Sequence, residues 1–291
     1  MGKFRIARCL DCRHKWLDAK FSREELADLY TNYYPRSSFK LEQYKPYEEA
    51  KGFFAWLDGE ARSAFRWVPR GVRVLDIGCG FGETLGYHRN RGCEVYGVEA
   101  DENILRVAEK FGFNARAGLF DQADYEKDFF DFVTMDQVIE HVEDPVKTLS
   151  GIASVLKPGG TAILSTPNSN GWGAFLFKNL WINWHAPYHL QHFSVRSMKL
   201  AAESAGLKLV RARTLTSSEW LYYQWIHLFI YPYMGSPAAF WSDKGTCGIL
   251  GKIALKFFPL LRKLKISHII TRFFDAIGSG DNYLFFLRKE R

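Results

Sequence analysis

Three sets of residues in this chain have the types and spacing that chemistry needs. Gly78, Gly80 and Gly82 stand two apart, directly after the apolar run 72–77. Glycine reaches φ > 0 and lets a ligand approach the backbone. The third glycine follows the first by four residues, whereas the dinucleotide fingerprint G-x-G-x-x-G needs five. His185, His189 and His192 form a second set, and His141 follows Glu140. Imidazole exchanges protons near neutral pH and ligates metals. Three histidines without a carboxylate nearby argue against a metal, so none is expected. Cys9 and Cys12 make a C-x-x-C with His14 close behind. A closed structural zinc site needs four ligands, and no second C-x-x-C follows, so two ordinary thiols are expected.

These residues need a frame to hold them. Residues 72–77, 93–98, 114–117, 130–135, 161–165, 207–214 and 283–288 read as strands. Residues 83–89, 101–111, 145–156 and 195–205 read as the helices between them, and Lys157-Pro-Gly-Gly160 as a turn. Strands alternating with helices of this length imply parallel pairing with right-handed crossovers. The expected fold is α/β, a Rossmann-like doubly wound, mostly parallel seven-stranded sheet with helical insertions. In such sheets ligands bind outside the carboxyl ends of the strands, where the glycine turn lies. Ser22 to Glu25 has the pattern of a capping box, predicting a helix to about residue 32. Residues 47–67 are expected to be helical, with Phe54, Leu57, Ala61 and Phe65 on one face. Two stretches fit no repeat: the aromatic and histidine-rich 168–193, and 218–278, rich in apolar, aromatic and basic residues. Both read as insertions that build a second site. Residues 1–40 are set apart as an N-terminal segment, and 41–291 as one domain with a helical insertion at about 218–278.

The run Val74-Leu-Asp-Ile-Gly-Cys-Gly-Phe-Gly82 resembles motif I of class I S-adenosylmethionine (SAM) methyltransferases, D-x-G-x-G-x-G. The likeness continues through Phe130 to Pro145, with its Glu140-His141 pair, then Leu156-Lys-Pro-Gly-Gly160 and Ser165-Thr-Pro-Asn168. It resembles the branch that holds ubiquinone-type O-methyltransferases and methyltransferases of polysaccharide and natural-product clusters. The resemblance spans roughly residues 40–215. It implies SAM as cofactor and S-adenosylhomocysteine (SAH) as product. Gly78, Cys79, Gly80 and Gly82 would then carry the methionine portion, and Asp76 its ammonium; the alternative for Asp76 is bracing the turn. Glu99, with Ala100 after it, is placed for the ribose hydroxyls. Leu119 and Phe120 would flank adenine or belong to the core. Asp136 and Gln137 would face the methionine end. A hydroxyl acceptor also needs a base. His189, in a Pro-x-His-x-x-x-Phe-Ser pattern, and His141 are the two candidates; backbone bonding or loop bracing is the alternative for each. The N-terminal C-x-x-C looks like half of a four-cysteine ribbon found in sugar-modifying relatives.

Composition narrows the partners. The 291 residues are 47% hydrophobic and 24% charged, enough for a sizeable core, with net charge +7. Residues 244–272 hold seven Lys/Arg and no Asp/Glu. Such an excess suits phosphate, nucleic acid, an anionic membrane, or simply a solvated face. No RNA-binding module is recognisable, so nucleic acid is not expected. No signal peptide and no run of the roughly 18–20 apolar residues that span a bilayer are read, so a cytoplasmic place is expected. The acceptor expected is a sugar or another hydroxylated small molecule. A nucleotide-dependent oxidoreductase and a non-catalytic SAM-binding or membrane-surface module are the alternatives. Residues 220–272 are expected to fold as a lid, with peripheral membrane contact as a second use.

Overall fold

The computed structural model describes residues 4–22, 24–25, 41–230 and 248–290. An antiparallel hairpin, β1 (Ile6–Arg8) and β2 (Lys15–Leu17), comes first. The Cys9–Cys12 knuckle joins its strands, with the Cys9 N–H donating to His14 O at 2.8 Å. Ser22 and Glu25 form the expected reciprocal capping box, the Glu25 N–H on Ser22 Oγ and the Ser22 N–H on Glu25 Oε2. The rest of the helix expected to about residue 32 lies outside the described residues.

Residues 47–67 are not one helix. α1 (Gly52–Asp58) ends at Gly59, and the 3₁₀ turns Glu60–Arg62 and Ala64–Trp67 follow. Gly59 adopts φ 76°, and a Cβ there would stand 2.0 Å from Thr216 O. A distant segment packs against this backbone, so tertiary contact overrides the apolar periodicity. Phe54 is consequently 68% exposed while Phe65 is 3% exposed.

The main sheet follows in the expected order. β3 (Arg73–Ile77), α2 (Glu83–Arg89), β4 (Glu94–Glu99), α3 (Asn103–Phe111), β5 (Asn114–Ala117) and β6 (Phe130–Asp136) form its first half. α4 (Pro145–Val155) starts with Asp144 accepting the Lys147 N–H at 2.9 Å and Pro145 in the first turn, where its missing N–H is harmless. β7 (Leu156–Pro167) is longer than expected. Phe130 pairs with Leu156 and Phe132 with Thr161, so the anticipated Lys157–Gly160 turn is a bulge inside one strand. The Lys157 ammonium pins it to Asp131 at 2.6 Å.

α5 (Trp172–Phe177) and β8 (Gln191–His192) lie in the histidine-rich stretch. β8 pairs with β2, so the N-terminal hairpin and the histidine segment form one three-stranded sheet, β1-β2-β8. α6 (Val195–Ser204) carries a Ser194–Ser197 capping box, and Ser194 Oγ also donates to Cys12 O at 2.6 Å. β9 (Leu207–Thr214) precedes α7 (Ser218–Ile230), α8 (Ile249–Lys263) and α9 (Ile266–Ala276). α9 was not anticipated as a separate helix; Lys265, at φ 61°, divides it from α8. β10 (Asn282–Lys289) closes the chain's seven-stranded sheet, ordered β5-β4-β3-β6-β7-β10-β9. Only β10 runs antiparallel, to both of its neighbours.

Both faces of this sheet are covered. Leu75, Leu164 and Phe285 pack on one side with Ile152 and Met198, while Val74, Ile163 and Leu284 pack on the other with Leu85 and Ile104. Adjacent residues of one strand serve opposite faces, so the middles of the central strands carry consecutive apolar residues. The α7–α8 pair has its own small core of Ile226, Ile230, Ala254 and Phe258. Trp172 on α5 stacks on Phe274 of α9 at 4.3 Å between centroids, tying the helices back to the sheet.

Candidate active site

The glycine turn leaves β3 at its carboxyl end. Gly78, Gly80 and Gly82 have φ of 77°, 57° and 81°, all in the left-handed region that side chains disfavour. The turn is anchored to β4: the Gly78 and Cys79 N–H groups both donate to Val98 O, at 2.8 and 3.3 Å. Cys79 points inward at 3% exposure, and burial pushes its thiol well above the usual range. Tyr44 reaches over the turn and donates to Gly82 O at 2.9 Å.

Acidic residues stand at the tips of three adjacent parallel strands. Asp76, at the end of β3, is 2% exposed and accepts Thr84 Oγ1 at 2.5 Å and Thr134 Oγ1 at 2.6 Å. Burial raises its carboxyl to about 7, against the pull of those two hydroxyls. Its bracing partners are thus hydroxyls rather than backbone N–H groups. Glu99, at the end of β4, accepts the Gly80 N–H at 3.0 Å and the Asp101 N–H at 3.1 Å, one on each oxygen. Asp136, at the end of β6, accepts Ser165 Oγ and the Ala64 N–H, the latter at 3.3 Å.

The tips that carry Asp76 and Asp136 open on a cavity of about 810 Å³, whereas Glu99 is not in its wall. Asp76, Gly78, Cys79, Gly80, Glu83, Thr84 and Asp136 form one side of it. The segment between α1 and β3 and the ends of α7, α8 and α9 form the other. Described residues of α7, α8 and α9 therefore form part of the cavity wall. His268 lines it, but both ring nitrogens are engaged, Nε2 with Asp58 at 2.6 Å and Nδ1 with Ser267 Oγ at 3.1 Å. It joins α9 to the end of α1 and offers no free nitrogen for proton transfer.

Gly82 and the remaining candidates are not in the wall of this cavity. Ala100 is exposed. Leu119 is 85% exposed, and Phe120 stacks on Tyr125 at 6.0 Å. Gln137, at φ 58°, donates through Nε2 to Ser165 Oγ at 3.0 Å and Asn282 Oδ1 at 2.8 Å, holding the β6 loop to β7 and β10.

The histidines gather at a separate, buried place. The rings of His141 and His189 are 4.7 Å apart, and His185 is 4.9 Å from His189. His141 Nδ1 meets Tyr188 O at 3.0 Å, and His189 Nδ1 meets Asn183 O at 2.8 Å. Burial lowers His141 and His185 to about 4 and His192 to about 3, and drives His189 well below its ordinary range, so all four are neutral at pH 7. Neither His141 nor His189 lines the cavity. Glu140 joins them: its carboxylate is fully buried, neither oxygen has a hydrogen bond, and burial raises it to about 8. Ligand atoms of Glu140, His141 and His189 lie within 4.8 Å of one another, a group able to hold a metal ion. The carboxylate missing from the histidine run in sequence is thus supplied by the loop after β6. Cys9 and Cys12 are free, half-exposed thiols.

Sequence reasoning did not single out Thr84 and Thr134, which hold Asp76, or Arg62 and Arg66, which face the cavity. Thr84 sits two residues after the third glycine, a local clue; the arginines carry none.

A family model described as a methyltransferase domain matches residues 21–212. The chain is 37% identical over 114 residues to the ubiquinone biosynthesis O-methyltransferase of Hahella chejuensis, covering 37% of this chain and 48% of that one. To the protein of the same name from Azoarcus sp. it is 32% identical over 184 residues, covering 59% of this chain and 65% of that one. The matches thus span from about half to just under two thirds of these relatives' length. A solved structure of Haemonchus contortus phosphoethanolamine N-methyltransferase 2 with SAM is similar at a TM-score of 0.48 and 20% identity, over 78% of this chain and 50% of that chain.

Proposed function

This chain belongs to the methyltransferase-domain family, in its class I form, and we propose that it carries the methyl group of SAM to an oxygen of a sugar-type or similarly hydroxylated small molecule. One observation supports the reading above the others. A turn of three positive-φ glycines, two of which line the wall, stands beside the strand-tip carboxylates Asp76 and Asp136 and opens on a cavity large enough for cofactor and acceptor together.

In this reading the methionine portion of SAM lies against Gly78, Cys79, Gly80 and Gly82. Its ammonium is held from the Asp76 and Asp136 side. Glu99 takes the ribose hydroxyls; each of its oxygens accepts one N–H and keeps a lone pair for a second bond. Ala100 borders the ribose, Leu119 and Phe120 flank adenine, and Gln137 fixes the loop beneath the methionine end. The transfer is an in-line displacement at a cationic methyl donor. The protein supplies position and excludes water, with α7, α8 and α9 as the wall that does so.

Proton removal from the hydroxyl falls to His189, with His141 beside it. Both are neutral at pH 7, the form that accepts a proton, and burial makes each a weaker base than free imidazole until the acceptor site opens to it. Reaching the acceptor requires the segment 183–192 or the loop 137–141 to move, since neither ring is in the cavity wall of this conformation. Calorimetric titration with SAM, SAH and NAD tests the cofactor assignment. Tight binding of SAM and SAH with none for NAD is the expected result; the reverse makes the chain a nucleotide-dependent oxidoreductase.

Peripheral membrane contact belongs to the same proposal. Ile253, Phe257 and Leu260 on α8 and Ile269 and Phe273 on α9 are between 50% and 62% exposed, with Lys252 and Lys256 among them. No helix among the described residues is long and apolar enough to cross a membrane. An apolar face with interspersed lysines lies in the interface plane of an anionic bilayer. Salt-sensitive co-sedimentation with anionic liposomes is the expected result, and none at low salt leaves these helices only their role as cavity wall.

A further inference from the structure

The two sides of the cavity differ in charge. The cofactor side carries Asp76, Glu83 and Asp136. The opposite side carries five Lys/Arg, from two widely separated stretches of chain, and three carboxylates. Those carboxylates are already engaged. Arg66 meets Glu60 at 2.6 Å, Arg262 meets Glu219 at 3.2 Å, and Lys265 shares Asp58 with His268 at 3.2 and 2.6 Å. Arg62 and Lys263 make no ion pair among the described residues, and they face the same space although they lie about 200 positions apart in sequence.

Helix ends add to this field. α9 begins at the cavity, with Lys265 as an N-cap that supplies no side-chain hydrogen bond and His268 in the first turn. α7 begins there too, at Ser217 and Ser218. The N-terminus of each helix carries partial positive charge, although Ser217 Oγ already accepts the Glu219 N–H of α7 at 3.2 Å. A bland account exists for part of the cluster: Arg262 and Lys263 lie in the last turn of α8, where cations offset the helix dipole. That account does not reach Arg62, which comes from the other end of the chain.

We propose that this half of the cavity is a subsite for a phosphoryl or diphosphoryl group on the methyl acceptor, held by Arg62 and Lys263 and by the starts of α7 and α9. The assignment rests on the methyltransfer reading only for what the anion is attached to. A diphosphate brings several negative charges and many acceptor oxygens to one spot, matching two unpaired cations beside two helix starts. Arg66, Arg262 and Lys265 keep their carboxylate partners and shape the wall. An acceptor so held would present its hydroxyl toward the glycine turn, where the methyl group is delivered.

The test uses the full-length protein saturated with SAH, titrated calorimetrically with inorganic pyrophosphate. Wild type is expected to bind it. The double substitution Arg62→Gln, Lys263→Gln is expected to weaken pyrophosphate binding at least about tenfold, because each lost contact is a charge-assisted one. Its SAH affinity should stay within about twofold of wild type, which also shows that the variant is folded. No binding of pyrophosphate by wild type, or equal binding by the variant, overturns the subsite. Failure of SAH to bind while pyrophosphate still does overturns the methyltransfer reading and leaves the anion site standing. Competition against pyrophosphate then separates two sources of the group. A nucleoside diphosphate that competes marks a soluble acceptor, an alkyl diphosphate alone marks a membrane-borne one, and competition by neither overturns the assignment to an acceptor.

Discussion

Replacing Gly78 by alanine separates two demands that the turn makes on one position. The first is conformational. At φ 77° an alanine costs about 1–2 kcal/mol, and Gly80 at φ 57° would cost the same. The second is space. A Cβ built on Gly78 stands 2.3 Å from Val138 Cγ2, whereas on Gly80 the nearest heavy atom is Glu83 Oε2 at 3.9 Å. Val138 cannot withdraw freely, because it belongs to the short loop whose Gln137 is bonded to Ser165 and Asn282. Overpacking of this kind adds about 1–3 kcal/mol. Gly78→Ala should therefore lose roughly 2–5 kcal/mol, and Gly80→Ala about 1–2. Val138→Ala removes the clash, so Gly78→Ala with Val138→Ala should recover the steric part, a coupling of about 1–3 kcal/mol. Urea unfolding of the four variants and wild type measures all of these quantities. Equal losses at Gly78 and Gly80, or strict additivity in the double variant, would refute the argument that Gly78 is fixed by Val138.

Three further outcomes follow from the site. Glu99→Ala should weaken SAM binding by about 1–3 kcal/mol, since ribose hydroxyls lose their acceptor, and unchanged affinity in calorimetry would remove Glu99 from the cofactor site. His189→Ala should lower turnover roughly 10²–10⁴-fold with SAM affinity near wild type, while His141→Ala should act mainly on affinity; wild-type turnover in His189→Ala takes that residue out of the mechanism. Asp281 is raised by burial to about 7 while accepting Trp181 Nε1 at 2.8 Å and the Gly173 N–H at 3.1 Å. The folded protein therefore holds a proton that the unfolded chain releases near pH 4. The stability this contributes is present below about pH 4 and is lost as pH rises through 7. Between pH 5 and 8 that loss is roughly 2–3 kcal/mol, and Asp281→Asn should remove it; an unaltered pH slope of urea midpoints would count against it.

Strands such as 72–77 and 93–98 were legible because an apolar run ends beside a glycine, and because a sheet buried on both faces leaves few polar interruptions in its central strands. Residues 114–117 and 207–214 are observed with the expected bounds. The glycine turn was legible for a local reason too: only glycine suits three positive φ values in five residues. What periodicity could not convey were contacts made by distant segments. The apolar pattern of 47–67 is helical, but Gly59 is held in a left-handed conformation against Thr216 and Arg272. The Pro-Gly-Gly after Lys157 reads as a turn, but pairing with β6 resumes at Thr161 and keeps it within one strand. In the histidine run, no local pattern says that residues 191–192 complete a sheet with the N-terminal hairpin, or that Glu140 lies among the histidines.

The order of strands also bears on how the chain is made. β10 lies inside the sheet, between β7 and β9, although it is synthesised after both. Until residues 282–289 leave the ribosome, β7 keeps an open edge and β9 has no strand to join. The waiting edge is not polar: Ile163 and Leu164, buried at 1% and 0% once folded, lie along it. A long apolar edge exposed during synthesis invites pairing with other nascent chains. Slowing translation just before residue 282 prolongs that exposure and should lower the soluble yield of this protein.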